Sequence, residues 1–139
     1  MTQLIENTTL YPIINPKSLV VFGASNKYAS MGTNLLTSVM ALGFEGKIFP
    51  VHLKENTVKG LRAYRSVEEL PEIPELALMV LPTHVVPEAL EACGRKGIRH
   101  AIVVSGGFKE VGGDGIGLEK QICEIADKYG IRFIGPNCI

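Results

Sequence analysis

Net charge is the first thing this 139-residue sequence lacks: fourteen Lys and Arg balance fourteen Asp and Glu. A neutral chain has no global field to gather nucleic acid or an anionic membrane, so any anion site must be local. There is no apolar run near the ~18 residues of a membrane span. The start, Met1-Thr2-Gln3-Leu4-Ile5-Glu6, carries no signal-peptide pattern. A cytoplasmic protein with neither membrane nor nucleic-acid partner is therefore expected. Cysteine is scarce as well: Cys93, Cys123 and Cys138 stand far apart with no C-x-x-C pair. That spacing argues against a disulfide framework and against a metal site. Cys93 and Cys123 fall on apolar faces of predicted helices and read as small buried hydrophobes. Cys138 follows a strand end and is not read as a reactive thiol.

What is present is enough for one core. Hydrophobic residues make up 46% and charged residues 20%, as suits a single globular domain. Five short β-type runs recur: Ser18–Phe22, Lys47–Val51, Leu76–Leu81, His100–Val104 and Arg132–Ile134. Each is nearly continuous in apolar residues rather than alternating, the mark of strands covered on both faces and hence of a parallel sheet. Between them lie helical stripes. Leu35, Leu36, Val39, Met40 and Leu42 form one, stopped by Gly43; Val86, Ala89, Leu90 and Cys93 form another, stopped by Gly94 or Gly97. Leu118, Ile122, Ile125 and Ala126 form a third, stopped by Gly130. Residues 1–15 predict a strap or short helix, and residues 16–139 the domain itself. The stretch from Lys54 to Pro71 predicts a small excursion on the sheet rim: a turn over 55–60, an extended piece over 61–64, and a helical piece over 67–70. The fold class is α/β, a doubly wound, Rossmann-like five-stranded parallel sheet with right-handed crossovers.

In such a sheet ligands bind at the carboxyl ends of the strands. After the first run comes Gly23-Ala24-Ser25-Asn26, leading through Ser30 and Met31 to Gly32 and a helix. A strand, a small-residue loop and a helix start aim free backbone N–H groups at one spot, an arrangement that holds phosphate. The loop lacks the second glycine of G-x-G-x-x-G, so the dinucleotide fingerprint is not met. The other strand ends carry His52-Leu53-Lys54, Pro82-Thr83-His84, Ser105-Gly106-Gly107-Phe108 and Gly135-Pro136-Asn137-Cys138. Small residues there let a ligand approach the backbone.

Other absences narrow the chemistry. No Asp or Glu closes the second strand, where NAD-binding folds hold a ribose hydroxyl; Lys54 stands near that place, with Glu55 one residue further on, and reads either as a partner for a ribose phosphate or as a solvated surface lysine. Gly23-Ala24-Ser25 begins like a nucleophile elbow, but Lys27 replaces the second glycine and no Asp-then-His pair follows. A hydrolase is set aside. His52 and His84 have no partner at metal-ligand spacing and read as rim or packing residues. Asp114 reads as the cap of the last helix. Glu110, before the glycines at 112, 113 and 115 of a predicted mobile loop, carries no local sign of a role.

Taken in order, several stretches resemble the N-terminal coenzyme A-binding domain of the NDP-forming acyl-CoA synthetases. That family includes ADP-forming acetyl-CoA synthetase and, more distantly, the succinyl-CoA synthetase alpha subunit. The matching pieces are Val20–Ser25, Gly46–Val51, Val67–Pro71, Leu81-Pro82, Ser105–Phe108 and Ile134–Cys138. The resemblance implies coenzyme A as ligand. Its pyrophosphate would lie on the loop from Gly23, Ser25 and Asn26 to Ser30, Met31 and Gly32, with Lys54 facing the nucleotide's phosphates. Pro82 and Thr83 would meet the adenosine, and Ser105, Gly106 and Gly107 the pantetheine path. It also implies a parent enzyme with a phosphohistidine domain and an ATP-grasp unit, so that ATP or ADP would enter only through domains absent here. No residue of this chain takes the phosphohistidine's place, none is assigned as catalytic, and the 139 residues alone are expected to bind without turnover. The alternatives are a stand-alone coenzyme A-binding protein and an NAD(P)-binding sensory module; an apolar patch left by missing domains could drive a homodimer.

Overall fold

The first strand, β1 (Ser18–Phe22), is buried at all five positions, and its side chains divide between two cores. Val20 and Phe22 enter one, Leu19 and Val21 the other. A period of two imposes that division on any apolar run covered on both faces. The structure, a computed structural model, describes residues 6–137.

In chain order the remaining elements are α1 (Tyr11–Ile14) before β1, then α2 (Met31–Ala41), β2 (Lys47–Val51), β3 (Thr57–Val58) and β4 (Leu61–Arg62). They continue with β5 (Leu76–Met79), α3 (Val86–Lys96), β6 (His100–Val103), α4 (Asp114–Tyr129) and β7 (Arg132–Ile134). Five strands form one parallel sheet in the order β2-β1-β5-β6-β7. The α/β class and the five-stranded parallel sheet expected from the sequence are those observed. With the hairpin strands set aside, the order is the 2-1-3-4-5 variant of the doubly wound fold, which reverses direction between β1 and β5. A crevice opens at such a reversal, because the connections on its two sides leave in opposite directions.

Helices α3 and α4 cover one face, burying Val86, Leu90, Cys93, Ile122 and Ala126 against Ala77, Met79, Ala101 and Val103 of the sheet. On the other face Leu36 of α2 packs with Leu76 and Leu78, and Val58 of the hairpin and Ile13 of α1 complete that layer. The excursion between β2 and β5 is an antiparallel pair, Thr57–Val58 with Leu61–Arg62, followed by a 3₁₀ turn at Val67–Glu69. The predicted turn over 55–60 is tighter than expected, since Thr57 and Val58 already belong to a strand. His100 Nε2 donates to the Thr9 carbonyl at 2.5 Å, holding the N-terminal strap at the amino edge of the sheet, away from the crevice.

Several local expectations need correcting. Cys123 is exposed rather than buried. It follows buried Ile122 and so lies about 100° round α4 from the packed face. Cys93 is buried as expected, and burial, then the charge of Glu68, pushes its thiol up to about 12. Cys138 lies outside the described residues. Leu42, placed in the apolar stripe of α2, is 88% exposed because it follows the last helical residue and lies about 120° round from Leu36. Helix α3 stops at Gly97, whose φ of 106° suits glycine, and not at Gly94. Gly94 instead lies within the helix under the ring of Tyr129, where a Cβ would collide. Asp114 is the first residue of α4 and makes no capping bond; the Gly112 and Gly113 carbonyls accept from Gly115 and Ile116 instead. Strands β5 and β6 end earlier than predicted, at Met79 and Val103. Val80 and Val104 still donate to Phe22 and Met79, so the ladder frays into the loops that line the crevice.

Two outcomes follow from this packing. Leu90→Ala should lower unfolding free energy by about 2–5 kcal/mol in urea titration, whereas Leu42→Ala should change it by less than about 0.5 kcal/mol. Treatment of the native protein with a maleimide, read by peptide mass spectrometry, should label Cys123 and leave Cys93 free until denaturant is added; equal labelling of both would contradict the assignment of the two helix faces.

Candidate functional site

The site begins where β1 meets α2. Gly23 has φ of 94°, and a Cβ there would be driven into the Val80 carbonyl at the end of β5. Gly32, in the first turn of α2, lies so near the Gly23 carbonyl that a Cβ would overlap it. The strand end and the helix start thus touch backbone to backbone. Thr33, only 2% exposed, locks the loop between them. Its Oγ1 accepts from Ser25 N at 3.0 Å and Ser30 Oγ at 2.6 Å and donates to Ser25 O at 3.0 Å. Ser30 caps α2 by accepting from Thr33 N at 3.3 Å. Among the described residues the amides of Met31 and Gly32, at the positive end of the helix, meet no acceptor.

A cleft of about 400 Å³ opens there, lined by Gly23, Ser30, Met31 and Gly32 from this loop. Val80–Thr83, Val104–Gly106 and Asn137 supply its other walls. None of the lining residues is charged. Its far wall is tied together by short polar bonds. Ser105 Oγ donates to Leu81 O at 2.5 Å and accepts from Leu81 N at 3.1 Å. Thr83 Oγ1 donates to Gly106 O at 2.5 Å, and Asn137 N donates to Ser105 O at 3.0 Å. A larger cavity, about 590 Å³, lies at Asn15–Lys17 and Gly43–Lys47. It sits at the amino ends of β1 and β2, on the edge of the sheet opposite the strand ends that line the cleft.

Eight of the twelve residues expected at the site line the one cleft: Gly23, Ser30, Met31, Gly32, Pro82, Thr83, Ser105 and Gly106. Gly107 adjoins it, since a Cβ there would stand 2.7 Å from Thr83 Oγ1. Ser25 lies one step out, its backbone held by Thr33. Asn26 is spent elsewhere: its Nδ2 donates to Thr57 O at 2.7 Å and its Oδ1 accepts from Lys59 N at 2.9 Å, fastening the loop to the hairpin. Lys54 is exposed in the turn after β2, outside the cleft lining, and makes no salt bridge among the described residues. That turn is shaped by His52, whose Nδ1 accepts from Lys54 N at 3.1 Å and Glu55 N at 3.0 Å. Arg65 braces it from outside through the carbonyls of His52 and Glu55 and the side chain of Asn56. His84 is exposed, and no cluster of three metal-ligating side chains occurs among the described residues. Asn137, at a strand end expected on the ligand-binding edge but given no role there, lines the cleft. Thr33 was not expected at the site; the Ser30 cap three residues before it was the one local sign.

Residues 17–139 match the model of a family described as the CoA binding domain. The chain belongs to that family. Over 133 residues it is 39% identical to the alpha subunit of the ADP-forming acetate–CoA ligase I of Pyrococcus furiosus, covering 93% of this chain and 29% of the relative. It is 40% identical over 128 residues to the ADP-forming 4-hydroxybutyrate–CoA ligase of Nitrosopumilus maritimus, covering 92% and 18%. The apo structure of the dinucleotide-forming acetyl-coenzyme A synthetase 1 of Ca. Korarchaeum cryptofilum superposes with a TM-score of 0.88 at 33% identity, covering 92% and 28%. The chain spans less than a third of the length of these relatives. No helix among the described residues is long and apolar enough to cross a membrane.

The cleft of this CoA binding domain suits a long ligand with a neutral body and a phosphorylated end. Gly23, Gly32 and Gly106 leave backbone in its walls, and the amino end of α2 stands at one side. The Thr33 lock makes a direct prediction. Thr33→Val removes every one of its side-chain hydrogen bonds while keeping its shape, and should cost about 1–3 kcal/mol in urea unfolding, with Thr33→Ser recovering most of the loss. Equal stability of the valine variant and the wild type would dismiss the lock.

Proposed function

We propose that this domain binds coenzyme A in the cleft between β1, β5 and β6, as one part of an ADP-forming acyl-CoA synthetase. The observation that carries this is the convergence of eight small or neutral residues from three strand ends on one backbone-walled cleft beside the amino end of α2. Small lining residues admit a chain that runs close to the backbone, and the first turn of α2 offers donors to a phosphate. Gly23, Ser25, Ser30, Met31 and Gly32 would hold the pyrophosphate, and Asn26 would act by fastening that loop to the hairpin. Pro82 and Thr83 would border the adenosine, and Ser105, Gly106 and Gly107 the pantetheine arm. Lys54, which makes no salt bridge among the described residues, would meet the 3′-phosphate.

In the whole protein the domain would present the thiol sulfur to the carbonyl carbon of an acyl phosphate. The new C–S bond forms as the C–O bond to phosphate breaks, phosphate leaves, and the thiol proton goes to solvent or a base outside this chain. The contribution of these residues is orientation, which converts an encounter of two reactants into a positioned attack. The partners under this proposal are the acyl-phosphate-forming and nucleotide-binding domains, where ATP or ADP would be handled, and the location is cytoplasmic.

Ligand-dependent thermal unfolding tests it. Coenzyme A at about 100 times its Kd should stabilise the chain by roughly 2.7 kcal/mol. Dephospho-coenzyme A should do less and NAD nothing measurable. Lys54→Ala should narrow the difference between coenzyme A and its dephospho form. Stabilisation by NAD with none by coenzyme A would replace the proposal with a dinucleotide-binding one.

A further inference from the structure

The loop that leaves β6 is closed on itself by a carboxylate. Glu110 Oε1 accepts from Gly107 N at 2.6 Å. Its own backbone N–H, then that of Gly107 and more weakly that of Phe108, hold the carboxyl below its ordinary range. Phe108 is wholly buried in the core under α3 and α4 and anchors one side of the loop. Gly106, on the other side, lines the cleft and is enclosed by three polar groups. Its carbonyl accepts from Thr83, and a Cβ would stand 3.2 Å from Asn137 Oδ1 and 3.3 Å from Glu110 Oε1. Of those three groups Glu110 alone is charged, and it lies outside the cleft lining. The next turn is held separately, by Glu119 Oε2 of α4 accepting from Lys109 N at 2.9 Å.

We propose that Glu110 is a positioning residue: by accepting from Gly107 it sets the orientation of the Gly106–Gly107 backbone at the mouth of the cleft, and through it the affinity for the pantetheine arm. The Gly106-Gly107 pair has more backbone freedom than any other dipeptide could have, so without a fastener it would sample many orientations. A carboxylate is the strongest fastener available to a side chain here. Both of its oxygens accept, and its bonds to N–H groups are charge-assisted. Glutamine keeps one accepting oxygen and loses the charge; alanine keeps neither. The consequence for affinity rests on coenzyme A being the ligand, whereas the ordering of the loop does not.

The test compares the wild type with Glu110→Ala, Glu110→Gln and the control Glu119→Ala in the full 139-residue chain. Amide hydrogen exchange by NMR reads Gly107 directly, and titration calorimetry compares coenzyme A with adenosine 3′,5′-bisphosphate, which lacks the pantetheine arm. In Glu110→Ala the Gly107 amide should exchange about tenfold faster, and coenzyme A should bind about fivefold more weakly. Adenosine bisphosphate should bind as before. Glu110→Gln should fall between the two, and Glu119→Ala should leave Gly107 exchange and both affinities at the wild-type values. Unchanged Gly107 exchange, unchanged coenzyme A affinity, or an equal loss for both ligands with a lowered Tm would each overturn the proposal. A wild type that binds neither ligand would overturn the coenzyme A assignment and the affinity consequence, and the exchange data would still decide whether Glu110 orders the loop.

Discussion

The carboxyl edge of the sheet is organised by a contact between two stretches of backbone. Gly32 of α2 rests against the Gly23 carbonyl just past β1, and Gly23 rests against the Val80 carbonyl just past β5. No side chain separates these three elements, so the amino end of α2 is brought over the point where the sheet changes direction. The Ser25–Ser30–Thr33 network then fixes the loop in the one conformation that contact allows.

Polar fasteners of the same kind recur along this edge, and most join a side chain to backbone. Ser105 spans Leu81, Thr83 reaches Gly106, Asn26 reaches the hairpin, and Glu110 reaches Gly107. Such bonds suit an edge made of small residues, which offers little apolar area to hold loops by burial. Among the described residues no buried side-chain nitrogen or oxygen is left without a partner. Apolar packing below and polar fastening above give the cleft a firm floor and walls of defined shape, and preorganisation of this sort lowers the entropy cost of binding.

Much of the fold was legible in the sequence because two-sided burial writes a plain pattern. Runs such as Leu19–Phe22 must be apolar at every position when both faces are covered. The helices were legible in existence, less so in detail. Cys123 and Leu42 are apolar by composition, but each lies off the packed face by a rotation that residue type alone does not report. Asp114 has the chemistry of a cap, yet the Gly112 and Gly113 carbonyls just before it accept from the amides of the first turn instead. Gly94 and Gly97 are equivalent as stop signals. The difference is Tyr129, which comes from a helix more than thirty residues later and needs the space above Gly94.

In the candidate site, the glycines and hydroxyls at the strand ends were legible because the apolar runs mark where each strand stops. The functions of Asn26, Thr33 and Glu110 were not, since each depends on what the chain brings opposite. Composition and local pattern alone determined the class of fold and the parallel sheet, because burial and chain geometry act within a few residues. Only the tertiary structure decided which polar side chains hold the cleft, which stand free on its rim, and which helix faces meet solvent. Those outcomes turn on contacts between segments far apart in the chain, and a hydrogen bond exists only where the fold sets its two partners within reach.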